Sequence, residues 1–379
     1  MRTTTTTLIV AVGALVALSL TMLASATMLD GPSTAGLRSQ AFAAVAGFVA
    51  LIGVAMVDYR RIDRWVWWIY AGTLILLALV LSPLGHETKG AQRWLFGTQP
   101  SEIAKFSLIV VLAVYGARNQ GRMDRFVPGI LGGAGIAVPI IALVLKEPDR
   151  GTAALLMLVT IVLLLLSGAR WWYLVPPGIL FGGALAAMIV FSPMARNRID
   201  AWINPANHKD GAAQQARKGL FAFGEGGLEG TGLGRGSLKY NVPEVHTDFI
   251  LPAVGEELGL PFTLGVVATY GVILFCGILV ARRAPDTLGL LLAAGITFLI
   301  AAQACINIGV VTTVLPNKGM PLPFVSRGGT SMAVLLAMVG ALVAVARQAV
   351  PADARPAGRP RRPGGRDPFA PDTDFARAA

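Results

Sequence analysis

The chain has 379 residues, of which 54% are apolar and only 14% are charged, whereas a soluble globular domain carries about 25% charged residues. This composition argues against a cytosolic enzyme and against a nucleic-acid-binding domain, even though the formal net charge is +11. The two cysteines, Cys276 and Cys305, lie inside apolar runs and provide neither a disulfide framework nor metal-ligand spacing. Such a chain is expected to cross a membrane many times.

Apolar runs bounded by charge, glycine or proline predict an all-α polytopic membrane protein with ten transmembrane helices, because each crossing takes about 20 mostly apolar residues. The predicted spans are residues 8–29, 38–57, 66–83, 102–117, 127–145, 152–168, 174–193, 254–281, 287–314 and 329–346. Only Arg2 precedes the first apolar run, which favours a retained span over a cleaved signal peptide.

An even number of spans places both termini on one side of the membrane. Arginines near the span ends favour the cytoplasm as that side, although the bias is weak by total count. Residues 1–350 form the predicted membrane domain. Residues 351–379 are rich in proline and arginine, so they are predicted to form a disordered cytoplasmic tail beside anionic lipid.

Function is expected on the extracytoplasmic side, where a long polar segment of about residues 194–252 joins the seventh and eighth spans. Three shorter outer loops are predicted at residues 84–101, 146–151 and 315–328. The last of these contains Pro316, Pro321 and Pro323 and is too rich in proline to be helical throughout.

Glu102 and Lys105 stand at the start of the fourth span, after Pro100. Their three-residue spacing places both side chains on one face of a helix. Ionisable groups at membrane depth usually face a bundle interior or a watery cavity, so the pair is a candidate for substrate contact. The alternative is an ion pair at the membrane interface that only orients the helix.

Four charged residues lie between the fifth and sixth spans, in the segment Lys146–Arg150. A loop without function would carry them as solvated span ends. The outer side nevertheless has an excess of cations, which an anionic ligand at the outer leaflet would explain. These cations are Lys89, Arg93, Lys105, Lys146, Arg150, Lys218 and Arg235.

The glycine-rich segment Phe221–Gly236 lacks the Lys-Ser/Thr ending of a P-loop, so a nucleotide site is not expected. Its glycines allow either a close approach of the backbone to a ligand or a flexible loop. Glu244, His246 and Asp248 follow at two-residue intervals, which is not a zinc signature. A partly buried carboxylate beside the membrane can act as a general base; the alternative is a helix cap or a loop salt bridge.

Five motifs of the chain resemble, in the same order, those of the SEDS family of bacterial peptidoglycan glycosyltransferases. The matching segments are residues 91–105, 147–152, 243–250 with 255–259, 307–309 and 315–329. The resemblance covers most of the chain and implies ten helices with both termini cytoplasmic, in agreement with the apolar runs. Residues 316–323 resemble the division type of the family somewhat more than the elongation type.

The resemblance implies an enzyme that joins the disaccharide units of lipid II, which are carried on undecaprenyl diphosphate, into β-1,4-linked glycan. The reaction is expected at the outer face of the bacterial plasma membrane. A class B penicillin-binding protein, which is a single-span transpeptidase, is the implied partner, together with membrane lipid and no nucleic acid. No cofactor is certain, and a divalent cation, Mg²⁺ or Mn²⁺, at the diphosphate is left open.

By resemblance, Asp248 matches the family's essential acid and is expected to be the general base of an inverting transfer. Glu102, Lys105 and Asp149 match polar positions of the family's central cavity, where Lys105 is assigned to the donor diphosphate and the acids to positioning. The further candidate substrate-binding residues are Arg93, Gln215, Lys218 and Glu244.

Some residues depart from the family's pattern. Lys218 and Gly219 stand where relatives carry Gln-Ser, Arg327 replaces a tyrosine, and Pro252 replaces an alanine. Because these positions are expected on the outer side, they leave open altered substrate handling or reduced activity. Two alternative functions stay open, the first because of buried charge in a chain that lies mostly in the membrane and the second because of these departures. One is a transporter or flippase for the lipid-linked precursor, and the other is a non-catalytic scaffold of the division machinery.

Overall fold

A computed structural model describes residues 1–27, 35–88, 91–203, 212–242 and 245–349. The tail predicted at 351–379 and the candidate Glu244 lie outside the described residues. The helices are α1 (Arg2–Thr27), α2 (Ala35–Met56), α3 (Ile62–Val80), α4 (Pro100–Arg118), α5 (Gly132–Lys146), α6 (Arg150–Leu166), α7 (Trp171–Phe191), α8 (Pro193–Ile203), α9 (Ala212–Gly226), α10 (Leu238–Asn241), α11 (Ile250–Arg282), α12 (Thr287–Val311) and α13 (Gly329–Arg347).

Each predicted span overlaps a helix, and the ends agree to within six residues. In the described part of the chain, eight helical segments are long and apolar enough to cross a membrane, and α6 is a shorter apolar helix. The polytopic membrane fold is therefore supported, while the exact number of ten crossings stays a prediction.

The centre of the bundle is formed by α4, α12 and α13. About 78% of the residues in the apolar stretch of α4 are buried, against 17% of those in the segment Tyr59–Val80 that contains α3. Large apolar side chains of the outer helices, such as Phe42 and Trp68, are exposed, as expected for surfaces that face lipid. The helix that carries Glu102 and Lys105 is thus enclosed by other helices.

Contacts between turns place Met1 and Gln348 at the same end of the bundle. Arg283, after α11, donates to the sulfur of Met1, and the Gln348 side chain donates to Asp58 between α2 and α3. The turn after α11 and the turn between α2 and α3 are also joined to each other, by an ion pair between Asp286 and Arg60. The side of the membrane on which this end lies stays a prediction.

Two outer segments differ from expectation. The predicted loop at 84–101 contains an antiparallel hairpin of β1 (His86–Thr88) and β2 (Ala91–Trp94), which the all-α fold class did not include. The long segment 194–252 carries α8, α9 and α10 rather than one continuous loop, and α11 begins at Ile250 rather than at residue 254. The loop at 315–328 contains no helix, as its prolines predict.

The glycine-rich segment packs against α11 through backbone hydrogen bonds. Thr231 N donates to Glu256 O at 2.8 Å and Leu260 N donates to Gly227 O at 2.9 Å. At the junction, Gly259 kinks α11 with φ 80°, and a Cβ there would lie 2.5 Å from the Leu228 carbonyl oxygen. The close backbone approach is therefore to a helix of the same chain, and the flexible-loop alternative is wrong for this segment.

Gly259→Ala is expected to destabilise the protein by about 2 kcal/mol or more, because an L side chain is disfavoured at this φ and the Cβ would overlap a carbonyl oxygen. The measurement is the thermal unfolding midpoint of the purified protein in detergent. Gly265→Ala is the matched control, since it lies on the same helix and a Cβ there meets nothing within 4 Å. Equal midpoints for the two variants would contradict the close packing.

Candidate active site

Two buried amide side chains lie near the C-terminal end of α12, at the end of the bundle far from Met1, which the predicted topology makes the outer end. Gln303 and Asn307 are four residues apart and therefore share one helical face. Asn307 Nδ2 donates to the Asp248 carbonyl at 2.9 Å and to the Met320 carbonyl at 2.7 Å. Gln303 Nε2 donates to the Pro321 carbonyl at 2.9 Å. The face of α12 thus holds the loop at 315–328 and the backbone of the expected catalytic acid.

The same face of α12 reaches the ion pair on α4. Lys105 Nζ lies 2.7 Å from Glu102 Oε1, and both side chains are at most 5% exposed. Lys105 Nζ also donates to Gln303 Oε1 at 3.2 Å. The predicted shared face is confirmed, and the bundle encloses both charges. Neither the role in substrate contact nor the alternative of an ion pair that only orients the helix is thereby decided.

The acids between α5 and α6 are buried as well. Thr152 donates to the Asp149 carboxylate through its backbone N at 3.1 Å and through its hydroxyl at 2.8 Å. Asp149 therefore caps α6 and satisfies its first donors. Glu147 is fully buried, while Lys146 is exposed. The interpretation of this segment as solvated span ends is wrong for both acids.

Glu147 is electrostatically unusual. Neither carboxylate oxygen has a hydrogen-bond partner among the described residues. Burial, and then the charge of Asp149, raises the pKa of Glu147 to about 8, against a smaller opposing effect of Arg93. Glu147 is therefore mostly protonated at neutral pH, because burial without a partner disfavours the charged form.

Arg93 on β2 ties the hairpin to this acidic loop. Its Nε donates to the Glu147 carbonyl at 3.1 Å and its Nη2 donates to the Pro148 carbonyl at 2.7 Å. These bonds hold the segment that carries Asp149 against the hairpin. The role of Arg93 in substrate binding stays a prediction.

Asp248 immediately precedes Phe249, the N-cap of α11. It is half-buried. The neighbouring backbone is held by Arg327 N, which donates to the His246 carbonyl at 2.8 Å, and by the Ser326 hydroxyl, which donates to the Thr247 carbonyl. The two residues that precede Asp248 are thus fixed to the loop at 315–328.

The loop at 318–320 runs between Asp248 and Asp149. A Cβ at Gly319 would lie 2.5 Å from Asp248 Oδ2, and a Cβ at Gly151 would lie 3.1 Å from the Lys318 Cε atom and 3.6 Å from Asp149 Oδ1. Glycine at both positions lets backbone and acids come close. Burial lowers the pKa of Lys318, and the charge of Asp149 opposes this effect.

The candidates on α9 lie at the edge of this site. Asn317 Nδ2 donates to Gln215 Oε1 at 3.1 Å. A Cβ at Gly219 would lie 3.3 Å from the Phe249 ring, so α9 packs on the start of α11. Lys218, next to Gly219, is half-buried in the same region.

Glu256 and Glu257 hold the segment between the glycine-rich loop and Asp248. Glu256 Oε1 accepts from the backbone N of Ser237 at 2.6 Å and from its hydroxyl at 2.9 Å. Glu257 Oε1 forms an ion pair with Lys239 Nζ at 3.0 Å, and its other oxygen accepts from Ser25 on α1. Both acids therefore have a structural role.

Gln303 and Lys318 were missed in the sequence. Gln303 and Asn307 are polar residues four apart inside an apolar span, which is a signal for a buried polar face. Lys318 lies in a predicted proline-rich loop, inside the segment 315–329 that resembles a family motif, but nothing in the sequence places it near Asp149. Among the described residues, no group of three or more His, Cys, Asp or Glu residues could hold a metal ion.

Comparisons with known proteins identify a family. The family model for FtsW, RodA and SpoVE, described as cell cycle protein, matches residues 1–350. A probable peptidoglycan glycosyltransferase FtsW of Geobacter metallireducens is 38% identical over 315 residues, which cover 82% of this chain and 84% of the relative. The stage V sporulation protein E of Bacillus subtilis is 33% identical over 311 residues, which cover 79% of this chain and 85% of the relative.

Two solved structures share the fold. A chain from work on the structural coordination of polymerization and crosslinking by a peptidoglycan synthase complex has a TM-score of 0.73 at 27% identity, with 90% of this chain and 96% of that chain covered. The rod shape determining protein RodA of Thermus thermophilus has a TM-score of 0.66 at 26% identity, with 90% and 96% covered. The likeness extends over most of each chain.

The raised pKa of Glu147 predicts a pH-dependent stability. Below about pH 4.5 the acid is protonated in both the folded and the unfolded protein, so burial has no ionic cost there. Between about pH 4.5 and pH 8 the unfolded state ionises and the folded state does not, so stability is lost as pH rises, by up to about 5 kcal/mol. Glu147→Gln is expected to remove this part of the slope.

The measurement is the thermal unfolding midpoint in detergent at a series of pH values from 4.5 to 9. Asp124→Asn is the matched control, because it also replaces an acid with an amide but at a side chain that is 55% exposed. It is expected to keep the wild-type slope. An unchanged slope in Glu147→Gln would show that Glu147 is ionised in the folded protein.

Proposed function

The chain belongs to the FtsW/RodA/SpoVE family of membrane proteins, and we propose that it is a peptidoglycan glycosyltransferase that polymerises lipid II at the outer face of the bacterial plasma membrane. One observation carries the proposal. The expected base Asp248 and the buried cation Lys105 are joined through Asn307 and Gln303 on a single face of α12. A base that accepts the hydroxyl proton and a cation that stabilises the departing diphosphate are the two groups that such a glycosyl transfer requires.

In the proposed reaction, the carboxylate of Asp248 takes the proton from the 4-hydroxyl of the acceptor N-acetylglucosamine. That oxygen attacks the anomeric carbon of the donor N-acetylmuramic acid, and the bond from this carbon to the diphosphate oxygen breaks. Undecaprenyl diphosphate leaves, and the α-linked donor becomes a β-1,4 linkage. Asp248 is suited to this role because a half-buried carboxylate keeps both access to substrate and useful basicity.

The leaving diphosphate is assigned to Lys105. A lysine ammonium has three donors, of which Glu102 and Gln303 occupy two, so one N–H remains for a phosphate oxygen. Preorganised cations stabilise charge that develops on a leaving group, and burial strengthens the effect. Glu102 and Asp149 then position Lys105 and the adjacent loop, and Lys318 adds a second amine beside Asp149.

A divalent cation at the diphosphate stays a prediction. The described residues provide no cage of acids or histidines, so a bound Mg²⁺ or Mn²⁺ would take its oxygen ligands mainly from the diphosphate and water, as Mg²⁺ often does at phosphates.

The proposed partner is a class B penicillin-binding protein. Support comes from the structural neighbour that is a chain of a peptidoglycan synthase complex. Division is the proposed process, because the FtsW-named relatives agree with the division-type resemblance of residues 316–323.

Asp248→Asn is expected to lower the rate of glycan formation from purified lipid II by at least about 100-fold, because the amide cannot accept the hydroxyl proton. The assay uses the purified protein with its transpeptidase partner, with and without added Mg²⁺ or Mn²⁺, and products are separated by length. Asp200→Asn on α8 is the matched control, because that acid is exposed, and it is expected to polymerise normally.

The same assay separates the rival functions. Full activity in Asp248→Asn would remove the assignment of the base. Movement of lipid II across vesicles without polymer would favour a transporter, and absence of glycan from the wild type with its partner would favour a scaffold.

The assignment of Lys105 is tested with a double substitution. Replacing Lys105 alone would leave Glu102 buried and unpaired, which costs about 3–5 kcal/mol. Glu102→Gln together with Lys105→Met removes both charges at similar volume. We expect a folded protein whose polymerisation is at least about tenfold slower. The exposed Lys146→Met serves as control, and a double variant as active as this control would show that Lys105 does not assist the leaving group.

A further inference from the structure

A cavity at the far end of the bundle lies outside the proposed active site. It has a volume of about 630 Å³ and is lined by Asn119, Arg122, Arg125, Phe126, Val127 and Pro128. These residues form the connection between α4 and α5. Because α4 has 19 residues, about 28 Å of helix separates this cavity from the outer end that carries Glu102.

The cavity has two cations without acidic partners. At this end Arg118 pairs with Asp63 at 2.8 Å, and the acid Asp124 lies 3.8 Å from Arg170. In the described part of the chain, the guanidinium groups of Arg122 and Arg125 make no ion pair or hydrogen bond. Two exposed, unpaired arginines beside one cavity form a site for a phosphate group.

The wall of the cavity contains apolar side chains that are exposed at the surface of the bundle. Phe126 is 51% exposed and Val127 is 62% exposed, and the nearby Leu131 is 57% exposed. At the start of α7, Trp171 and Trp172 are exposed. Tryptophan is enriched at membrane interfaces. A soluble phosphate ligand would not require this wall, whereas the acyl chains of a phospholipid would cover it.

The turn that carries the arginines is held rigidly. The side chain of Met123 is buried in a small apolar cluster with Ile130 and Leu164, and the Tyr115 hydroxyl donates to the Pro128 carbonyl at 2.6 Å. A Cβ at Gly129 would lie 2.1 Å from the Met123 carbonyl oxygen. The cavity is therefore preformed, which lowers the entropic cost of binding.

We propose that this cavity binds the phosphate headgroup of an anionic phospholipid. Arg122 and Arg125 contact the phosphate, and the acyl chains lie along Phe126, Val127 and Leu131. Thr287, at the start of α12, donates to Gln120 at 2.8 Å, so the site is in the end of the bundle that also holds Met1. The lipid comes from the leaflet on that side, which the proposed orientation makes the cytoplasmic one.

The test is native mass spectrometry of the full-length protein after incubation with equal amounts of phosphatidylglycerol and phosphatidylcholine. The wild type is expected to retain phosphatidylglycerol preferentially. Arg122→Gln together with Arg125→Gln is expected to weaken this retention by at least about tenfold, since charge-assisted contacts are lost. The matched control is Arg61→Gln with Arg64→Gln, which removes the same charge from exposed arginines at the same end and is expected to change retention less than about twofold.

Four results would overturn the proposal: equal retention of the two lipids by the wild type, unchanged retention in the Arg122/Arg125 variant, an equal loss in the control variant, or displacement of phosphatidylglycerol by millimolar inorganic phosphate. The last would assign the site to a soluble phosphate. The first and last use only the wild type, so a variant that fails to fold does not remove the test. The readout needs no polymerase activity, so its failure is distinct from failure of the proposed function.

Discussion

The polar face of α12 is the constraint on which the outer end of the protein depends. An amide buried in an apolar span is costly unless its donors and acceptor are bonded. Gln303 meets this requirement with Lys105 and the Pro321 carbonyl. Asn307 meets it for its donors, which bond to the carbonyls of Asp248 and Met320, while its Oδ1 atom is buried without a partner among the described residues. The ion pair of α4, the proline-rich loop and the start of α11 are thereby set relative to one another, although they are far apart in sequence.

A second set of contacts holds the glycine-rich segment and the residues that follow it against α11. The glycine-rich loop hydrogen-bonds to the backbone of α11, and Glu256 caps the short α10 through Ser237. Glu257 joins Lys239 and, through Ser25, the first helix. These contacts hold Ser237 and Lys239, which precede Asp248 in the chain, against α11.

Local patterns predict much of this architecture, and non-local contacts explain the remainder. Apolar runs are sufficient for the positions of the helices because each crossing is a property of one segment. The shared face of Glu102 and Lys105 follows from helical spacing. Their partner Gln303 does not, because it is 198 residues from Lys105 in the chain. The packing of glycines on α11 is equally invisible, since glycine composition alone fits both a tight approach and a flexible loop.

The acids at the outer end differ in how their charge is used. Glu102 is paired with Lys105, and Asp149 caps α6. Glu147 is mostly protonated at neutral pH, because burial raises its pKa. It therefore adds little negative charge near the site at which a diphosphate is proposed to bind. Asp248 is different, because Asn307 fixes it through its backbone carbonyl and Gly319 allows a close approach to its carboxylate. Because Asn307 bonds to the carbonyls of both Asp248 and Met320, the proposed general base is held beside the loop that carries Lys318.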